Sequence, residues 1–273
     1  MADQYSAVWI SHSSIGDYLK CPRLYYLRNM YRDPKTGHKF TIMTPPLALG
    51  QAVHDVIESI ATLPVEQRLI QPLSQRLDQA WKAVSGQLGG FTNPDQENEY
   101  KNRALKMMQV ITDNPGPISK MAVKIPMDLP HYWLSEDEGI ILCGKIDWLE
   151  HIEKNDSVKI YDFKTGRNEE DSASLQLPIY TLLLKNCQKR QCEGACYWYL
   201  DRDGQMVDVD LPSLEDSYNR VYEIGKKIVL ARKLDHLKCK TQGCNFCTPF
   251  EKVIKGEGKL VGLSNYKQDI YIL

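Results

Sequence analysis

The sequence predicts an α/β protein in which a central mixed β-sheet is flanked by helices and preceded by an N-terminal helical region. Three observations support this fold class. In residues 1–115 apolar side chains recur every three or four positions, as they do in amphipathic helices. Short runs rich in Ile, Val and aromatic residues follow, and these are typical of strands. Further helical segments then alternate with such runs, which indicates helices and a sheet in one fold.

The N-terminal region is predicted to be mainly helical. Pro22 divides the first segment into two short helices, and Pro64 ends the helix that precedes it. Between them, the polar stretch 33–46 contains Pro and Gly and predicts a loop. The helical segments are residues 13–30, 47–63, 65–84 and 96–112.

The second half of the chain is predicted to form the sheet. Its last two strands are joined at Asp201–Gly204 and are expected to form a hairpin. Two helices are predicted here, at residues 171–186 and 213–237, and Pro178 is expected to disturb the first of them. The predicted strands are residues 122–129, 139–151, 158–163, 195–200 and 205–211.

Composition and charge exclude several classes of protein. Hydrophobic residues make up 42% and charged residues 25%, which is ordinary for a globular chain and excludes collagen-like and low-complexity proteins. The 34 Lys and Arg residues are balanced by 35 Asp and Glu residues, so any contact with nucleic acid must depend on local patches or on metal ions. No apolar run approaches the ~20 residues that span a bilayer. We therefore expect a cytoplasmic protein with no membrane partner.

A pair of carboxylates and a lysine form the central candidate site. Alternate residues of a strand share a face, so Asp162 and Lys164 should project together while Phe163 points into the core. A hairpin with the preceding strand would place Asp147 beside Asp162. Two close carboxylates repel each other unless a cation lies between them, and their oxygens suit Mg²⁺ or Mn²⁺. Two strand-end acids beside a surface lysine would give the same short pattern.

Further motifs in a fixed order make the chain resemble the RecB-like branch of the PD-(D/E)XK nuclease superfamily. The resemblance runs from about residue 10 to residue 247 and implies a restriction-endonuclease-like core. Asp162 stands where the wider superfamily often has Glu, which resembles the RecB-like form. The motifs are Gly50-x3-His54, Gly144-x2-Asp147, Asp162-x-Lys164-Thr165-Gly166, Gln176-x3-Tyr180 and an opening segment between Ile10 and Tyr26.

The resemblance also implies a role for each matching residue. It implies that Mg²⁺ or Mn²⁺ is held by His54, Asp147, Asp162 and the backbone carbonyl of Phe163. Lys164 would be the catalytic lysine. Gln176 and Tyr180 would position the DNA backbone and support the site. The implied reaction is the metal-assisted hydrolysis of a phosphodiester bond, with His54, Asp147, Asp162 and Lys164 as the catalytic residues.

The eight cysteines divide into two sets. Those at positions 143, 187, 192 and 196 are isolated and are interpreted as core or surface thiols. Cys21 and a C-terminal group, Cys239-x4-Cys244-x2-Cys247, make a set of four. AddB-type subunits and CRISPR-associated adaptation nucleases hold an iron–sulfur cluster with one N-terminal and three C-terminal cysteines, so the resemblance implies a [4Fe–4S] cluster here.

The cysteine spacing departs from that pattern. The longer gap comes first, and Val253 stands where a last cysteine would be expected. A structural Zn²⁺ bound by the same four residues is therefore an alternative, and unligated thiols are another.

Basic residues are concentrated in the two segments that carry these cysteines. If the cysteines join the segments, one electropositive channel for phosphates is expected. Tyrosines at positions 18, 25, 26 and 31 would stack on unpaired bases or belong to the core. The basic residues are Lys20, Arg23, Arg28, Arg32, Lys35 and Lys39 in the first segment, and Lys226, Lys227, Arg232, Lys233, Lys238 and Lys240 in the second.

We expect a single domain over residues 1–273. Residues 1–115 would be the helical part with His54, residues 116–212 the catalytic sheet, and residues 213–273 the C-terminal helix and the cysteine cluster. The expected activity is that of a metal-dependent exonuclease on single-stranded DNA or DNA ends, in repair, recombination or CRISPR adaptation. The alternatives are a nuclease subunit active only within a larger helicase or integrase complex, and an inactive DNA-binding module. No G-x4-G-K-[ST] motif indicates a helicase motor in this chain.

Overall fold

The computed structural model describes residues 3–273 and arranges their strands in three sheets. The strands are β1 (Val8–Ile10), β2 (Lys39–Ile42), β3 (His131–Ser135), β4 (Ile140–Cys143), β5 (Trp148–Ile152), β6 (Ser157–Lys164), β7 (Cys192–Tyr199), β8 (Gln205–Val209), β9 (Lys259–Leu263) and β10 (Gln268–Ile272). The helices are α1 (His12–Lys20), α2 (Pro22–Tyr25), α3 (Pro45–Ala61), α4 (Leu73–Trp81), α5 (Pro94–Asp113), α6 (Gln176–Cys187), α7 (Leu214–Lys233) and α8 (Thr248–Ile254). The sheet orders are β1-β4-β3, β2-β10-β9 and β5-β6-β7-β8.

The four-stranded sheet is mixed and has helices on both faces. Strand β6 pairs in parallel with β7 and antiparallel with β5, while β7 and β8 form the predicted hairpin. Ile160 faces a core shared with α6 and α7, and Phe163 faces a second core shared with α3, α4 and α5. The predicted class, a mixed sheet flanked by helices, is confirmed, although the strands are spread over three sheets rather than one.

Three of the four predicted N-terminal helical segments, 13–30, 47–63 and 96–112, match the structure to within about two residues. Ser11 caps α1 by accepting from the Ser14 backbone N–H, and Pro22 starts α2, so the predicted division at this proline is confirmed. Helix α3 buries positions three and four apart, among them Leu49, Val53 and Ile57, because these form one apolar face. This face holds α3 against the sheet and fixes the direction of its other face, which carries His54.

Two predicted helices are shorter than expected. Within residues 65–84, only a short 3-10 turn at Val65–Gln67 and α4 are helical, because Pro72 interrupts the segment. The predicted helix 171–186 begins only at Gln176. Pro178 therefore lies in the first turn, where the missing N–H costs no hydrogen bond, and it does not disturb the helix.

The predicted strand 139–151 is wrong, since the segment forms two strands in different sheets. Strands β4 and β5 are separated by Gly144–Asp147. A Cβ atom on Gly144 would lie 3.0 Å from the Cδ1 atom of Leu183, so the glycine lets the chain pass close to α6. The break turns the backbone just before β5 and leaves Asp147 at the edge of the mixed sheet.

The predicted strand 122–129 is also wrong. Only Ala122 makes an isolated bridge, with Glu150, because Pro126 and Pro130 prevent a regular ladder. The chain forms β3 directly after Pro130 instead. Five strands, β1, β2, β3, β9 and β10, were not predicted. Strand β2 lies inside the stretch interpreted as a loop and pairs in parallel with β10.

Within residues 3–273, no helix combines the length and the apolar character that crossing a membrane would require.

Candidate active site

The candidate residues come from three neighbouring elements. Strand β6 supplies Asp162 and Lys164 at its carboxyl end, where alternate residues share a face as predicted. Helix α6 begins with Gln176 and carries Tyr180 one turn later. The other two predicted ligands are His54 on α3 and Asp147 just before β5, and these two form a second group.

The first group is a hydrogen-bonded network around the buried carboxylate of Asp162. Its Oδ1 atom accepts from Gln176 Nε2 at 2.7 Å and from the Tyr180 hydroxyl at 3.3 Å. Its Oδ2 atom lies 2.8 Å from Lys164 Nζ, which also donates to Gln176 Oε1 at 2.5 Å. Four of the predicted residues are therefore in direct contact, and Gln176 orients both members of the Asp-x-Lys pair.

Tyr180 is buried within this network. Burial, together with the nearby carboxylate of Asp162, raises the pKa of the Tyr180 hydroxyl far above its usual range. The hydroxyl therefore stays protonated and remains a donor to Asp162. It fixes the orientation of the carboxylate and does not point to solvent.

Glu170 completes the surroundings of Lys164 and was not predicted. Its Oε2 atom lies 2.6 Å from Lys164 Nζ, so the ammonium is held between two carboxylates. Burial opposes the charge of Lys164, but the ion pairs with Asp162 and Glu170 outweigh burial and raise the pKa of this lysine. The only sequence signal for Glu170 is its place in an acidic run shortly after the Asp-x-Lys motif.

His12, at the first position of α1, is a second residue that the sequence analysis missed. Burial lowers the pKa of its imidazole, and Glu170, Lys164 and Asp162 are its charged neighbours. The N-terminal end of α1 is thus within electrostatic range of the Asp-x-Lys pair.

The second group joins His54 and Asp147. The Asp147 Oδ2 atom lies 3.7 Å from His54 Nδ1 and accepts from the backbone N–H of Phe163 at 3.1 Å. Burial raises the pKa of Asp147 to about 6, with His54 opposing this shift and Asp162 adding to it. The predicted hairpin of β5 with β6 is confirmed, and Asp147 binds the backbone N–H of the residue that directly follows Asp162.

Two close approaches explain the glycines of the motifs. A Cβ atom on Gly50 would lie 3.3 Å from Thr165 Oγ1, so this glycine lets α3 pack against the end of β6. Gly144 plays the same part for α6. In each motif the glycine allows a close approach of two elements. This approach sets the position of the residue that follows, His54 after Gly50 and Asp147 after Gly144.

An open cavity of about 470 Å³ adjoins the second group. It is lined by Asp147, by residues 122–128 and by a pair formed by Lys145 and Glu58, whose charged atoms are 2.6 Å apart. The cavity provides room for a substrate beside Asp147.

The donor set of the site fits a hard divalent cation. Two carboxylates, an imidazole and a peptide carbonyl offer mainly oxygen atoms, which Mg²⁺ and Mn²⁺ prefer. The charge of Asp162 adds to the raised pKa of Asp147, and a divalent cation bound between two carboxylates relieves such repulsion. The ligand atoms of His54, Asp147 and Asp162 are more widely spaced than those of the cysteines described next. Both Asp162 oxygens are engaged by Lys164, Gln176 and Tyr180.

The four cysteines meet as the sequence analysis predicts. Cys21, at the junction of α1 and α2, lies beside the segment that follows α7, and the four ligand atoms are all within 4.8 Å of one another. Among residues 3–273 this is the one group of three or more His, Cys, Asp or Glu residues gathered so closely. All eight cysteines are free thiols. The arrangement suits a bound metal centre.

The four cysteines outside the cluster are buried or half-buried, and one of the four candidate stacking tyrosines lies in the core. Cys143 and Cys196 are buried, and Cys187 and Cys192 are half-buried. Tyr25 is fully buried and belongs to the core, so it is not available to stack on a base.

Comparison with known proteins gives one finding. The model of the PD-(D/E)XK nuclease superfamily matches residues 9–248. The chain therefore belongs to the PD-(D/E)XK nuclease superfamily, which comprises metal-dependent enzymes that hydrolyse phosphodiester bonds in nucleic acids. A search of curated proteins gave no match for this chain.

Proposed function

We propose that this chain is a metal-dependent deoxyribonuclease of the RecB-like branch, with its active site at the carboxyl end of β6. The observation that carries the proposal is the Asp162–Lys164 pair held by Gln176 and Tyr180 from α6. A pair of strand-end acids with a solvated lysine would not need such a network. His54 and Asp147, whose side chains lie 3.7 Å apart, complete the proposed set of catalytic residues.

The proposed metal ligands are His54, Asp147, Asp162 and the carbonyl of Phe163. When bound there, Mg²⁺ or Mn²⁺ would polarise the phosphate and lower the pKa of a bound water. Gln176 and Tyr180 keep Asp162 in one orientation, which removes reorganisation from the reaction. The prediction that these two residues also position the DNA backbone stays a prediction.

Lys164 is proposed to stabilise charge on the substrate. Hydrolysis joins a water oxygen to phosphorus and breaks one P–O ester bond, so negative charge builds on the phosphate oxygens. The ammonium, held between Asp162 and Glu170, would place a fixed positive charge beside these oxygens. An ammonium held by two carboxylates is better suited to this task than to removing a proton from water.

Lys164→Ala should lower kcat by roughly 10²–10³-fold, the usual cost of losing one preorganised donor. Binding of Mn²⁺, measured by calorimetry, should change little, because the lysine is not a proposed ligand. Lys159→Ala is the control, since Lys159 lies on the same strand and pairs with the exposed Asp208 at the far end. Lost Mn²⁺ binding with normal turnover at saturating metal would contradict this role for Lys164.

We propose that the substrate is single-stranded DNA or a duplex end and that the enzyme acts as an exonuclease in repair, recombination or CRISPR adaptation. Digestion of end-labelled single- and double-stranded DNA with Mg²⁺ or Mn²⁺ tests this. Cleavage by the purified chain supports a stand-alone enzyme. Cleavage only with a helicase or integrase partner supports a subunit, and binding without cleavage supports an inactive DNA-binding module.

We further propose that Cys21, Cys239, Cys244 and Cys247 hold a metal centre, namely the [4Fe–4S] cluster that the RecB-like resemblance implies. One observation favours Zn²⁺ as a second candidate. Bonds of about 2.3 Å place the sulfurs of a tetrahedral zinc site about 3.8 Å apart, and the Sγ atoms of Cys244 and Cys247 are 3.6 Å apart. A cubane cluster would require the four sulfurs to spread, because each binds a different iron.

We propose one nuclease domain over residues 1–273, with the helical part, the catalytic sheet and the C-terminal part divided as the sequence predicts. A cytoplasmic location also stays a prediction.

A further inference from the structure

A cavity of about 400 Å³ opens beside the four cysteines. One wall is the end of α1, from Tyr18 to Pro22, and the opposite wall is formed by Lys227 of α7 and by residues 239–241. The Tyr18 hydroxyl donates to the Lys227 carbonyl at 3.4 Å and so ties the two walls together. The cavity therefore lies where the two basic segments of the sequence meet.

The charge of this cavity has one sign. Lys20, Lys227 and Lys240 line it, and no acidic residue does. The nearest carboxylate on α1, Asp17, is buried and is already held by Arg28 at 2.6 Å and Asn29 at 3.1 Å. Three lysines without a carboxylate partner at a concave surface form a site for an anion.

The position of the cavity relates it to the candidate active site. Helix α1 starts at His12, which has Glu170 and Lys164 among its charged neighbours, and ends at Lys20 on the cavity wall. At a rise of 1.5 Å per residue, these two ends are separated by about 12 Å along the helix. At about 3.4 Å per phosphate along a stacked strand, this distance corresponds to three or four nucleotides.

We propose that Lys20, Lys227 and Lys240 bind the phosphodiester backbone of the substrate strand, a few nucleotides from the bond that is cleaved. The proposal rests on the nuclease function proposed above and adds a second contact to it. Two of the lysines are adjacent in sequence to a cysteine of the cluster, Lys20 to Cys21 and Lys240 to Cys239. A metal centre held by these cysteines would thus fix the backbone from which two of the three lysine side chains extend.

The test compares binding of a long single-stranded oligonucleotide, by fluorescence anisotropy without added divalent cation, across a range of salt concentrations. In the triple variant K20Q/K227Q/K240Q, the slope of log K against log salt should fall by about 2, since each lost phosphate contact on a single strand contributes about 0.7. The control triple variant K82Q/K106Q/K120Q makes the same change of charge at exposed lysines of the α4–α5 region, which packs against the opposite face of the mixed sheet. Its slope should equal that of the unmodified protein.

Cleavage of a dinucleotide separates this proposal from the nuclease proposal. A dinucleotide cannot reach the cavity from the active site, so the triple variant should cleave it as the unmodified protein does while its KM for the long strand rises. Equal slopes for the unmodified protein and the triple variant overturn the lysine site and leave the nuclease function standing. A protein that neither binds nor cleaves any DNA overturns both proposals. If the triple variant loses its metal centre, K227Q alone, which has no neighbouring cysteine, must still lower the slope by about 0.7, or the proposal fails.

Discussion

Asp162→Ala is expected to lower the rate of DNA cleavage by at least about 10³-fold, more than the loss of a single preorganised donor costs. Asp162 is a proposed metal ligand and also the acceptor that fixes Lys164, Gln176 and Tyr180. Its side chain is nearly inaccessible, at 2% exposure, and its buried donors would lose their acceptor. We expect a loss of about 1–3 kcal/mol in the free energy of unfolding, which leaves the protein folded.

Asp162→Asn separates the chemistry from this structural cost. The amide keeps an oxygen acceptor but removes the charge, so the variant should melt close to the unmodified protein and still fail to cleave. Asp17→Asn is the control, because Asp17 is equally buried and pairs with Arg28 away from the proposed site. Cleavage by Asp162→Ala at a near-normal rate would show that the site has been assigned wrongly.

Cys21→Ser is expected to produce the second large effect, the loss of the metal centre and a fall in Tm of roughly 10 °C. Cys21 is the one cysteine of the four that lies far from the others in sequence, so the centre closes a very long loop. The entropy that such a link removes from the unfolded chain stabilises the folded protein by at most about 5 kcal/mol. For a chain of this size, 1 kcal/mol shifts Tm by about 2–4 °C.

The measurements are visible absorption, metal content and thermal melting of protein purified without oxygen. A brown protein that Cys21→Ser bleaches supports the [4Fe–4S] cluster, and a colourless protein with stoichiometric zinc supports the alternative. Cys196→Ser is the control for burial, since Cys196 is 2% exposed and lies outside the cluster. A colourless, metal-free protein whose melting Cys21→Ser leaves unchanged would exclude both centres.

Local patterns explain what the sequence predicted of the site. The alternation around Asp162 and Lys164 sets their common face in any strand, and the spacing of Gln176 and Tyr180 sets theirs in any helix. The contact between these two pairs was implied only by the resemblance. Glu170 and His12 were missed because they reach Lys164 through the folding of a loop and of a helix end, which no period in the sequence encodes.

The strands that were missed or wrongly predicted also depend on contacts between residues far apart in the sequence. Strand β2 is a short segment in a polar stretch, and it becomes a strand only because β10, more than two hundred residues later, pairs with it. Residues 122–129 alternate well enough for a strand, but Pro126 limits their pairing with β5 to the single bridge at Ala122. The segment 139–151 reads as one apolar run, and only the approach of α6 to Gly144 divides it.

The parallel pairing of β2 with β10 has a consequence for the order of events during synthesis. Strand β2 leads directly into α3, yet its hydrogen-bonding partner leaves the ribosome only after some 230 further residues have been added. At about 5–20 residues per second, this delay is roughly 10–50 s. Cys21 must likewise wait for the last cysteines of its cluster. The nascent chain therefore carries an open strand edge and unligated thiols for most of its translation, and these late-closing elements are where we expect chaperones to bind.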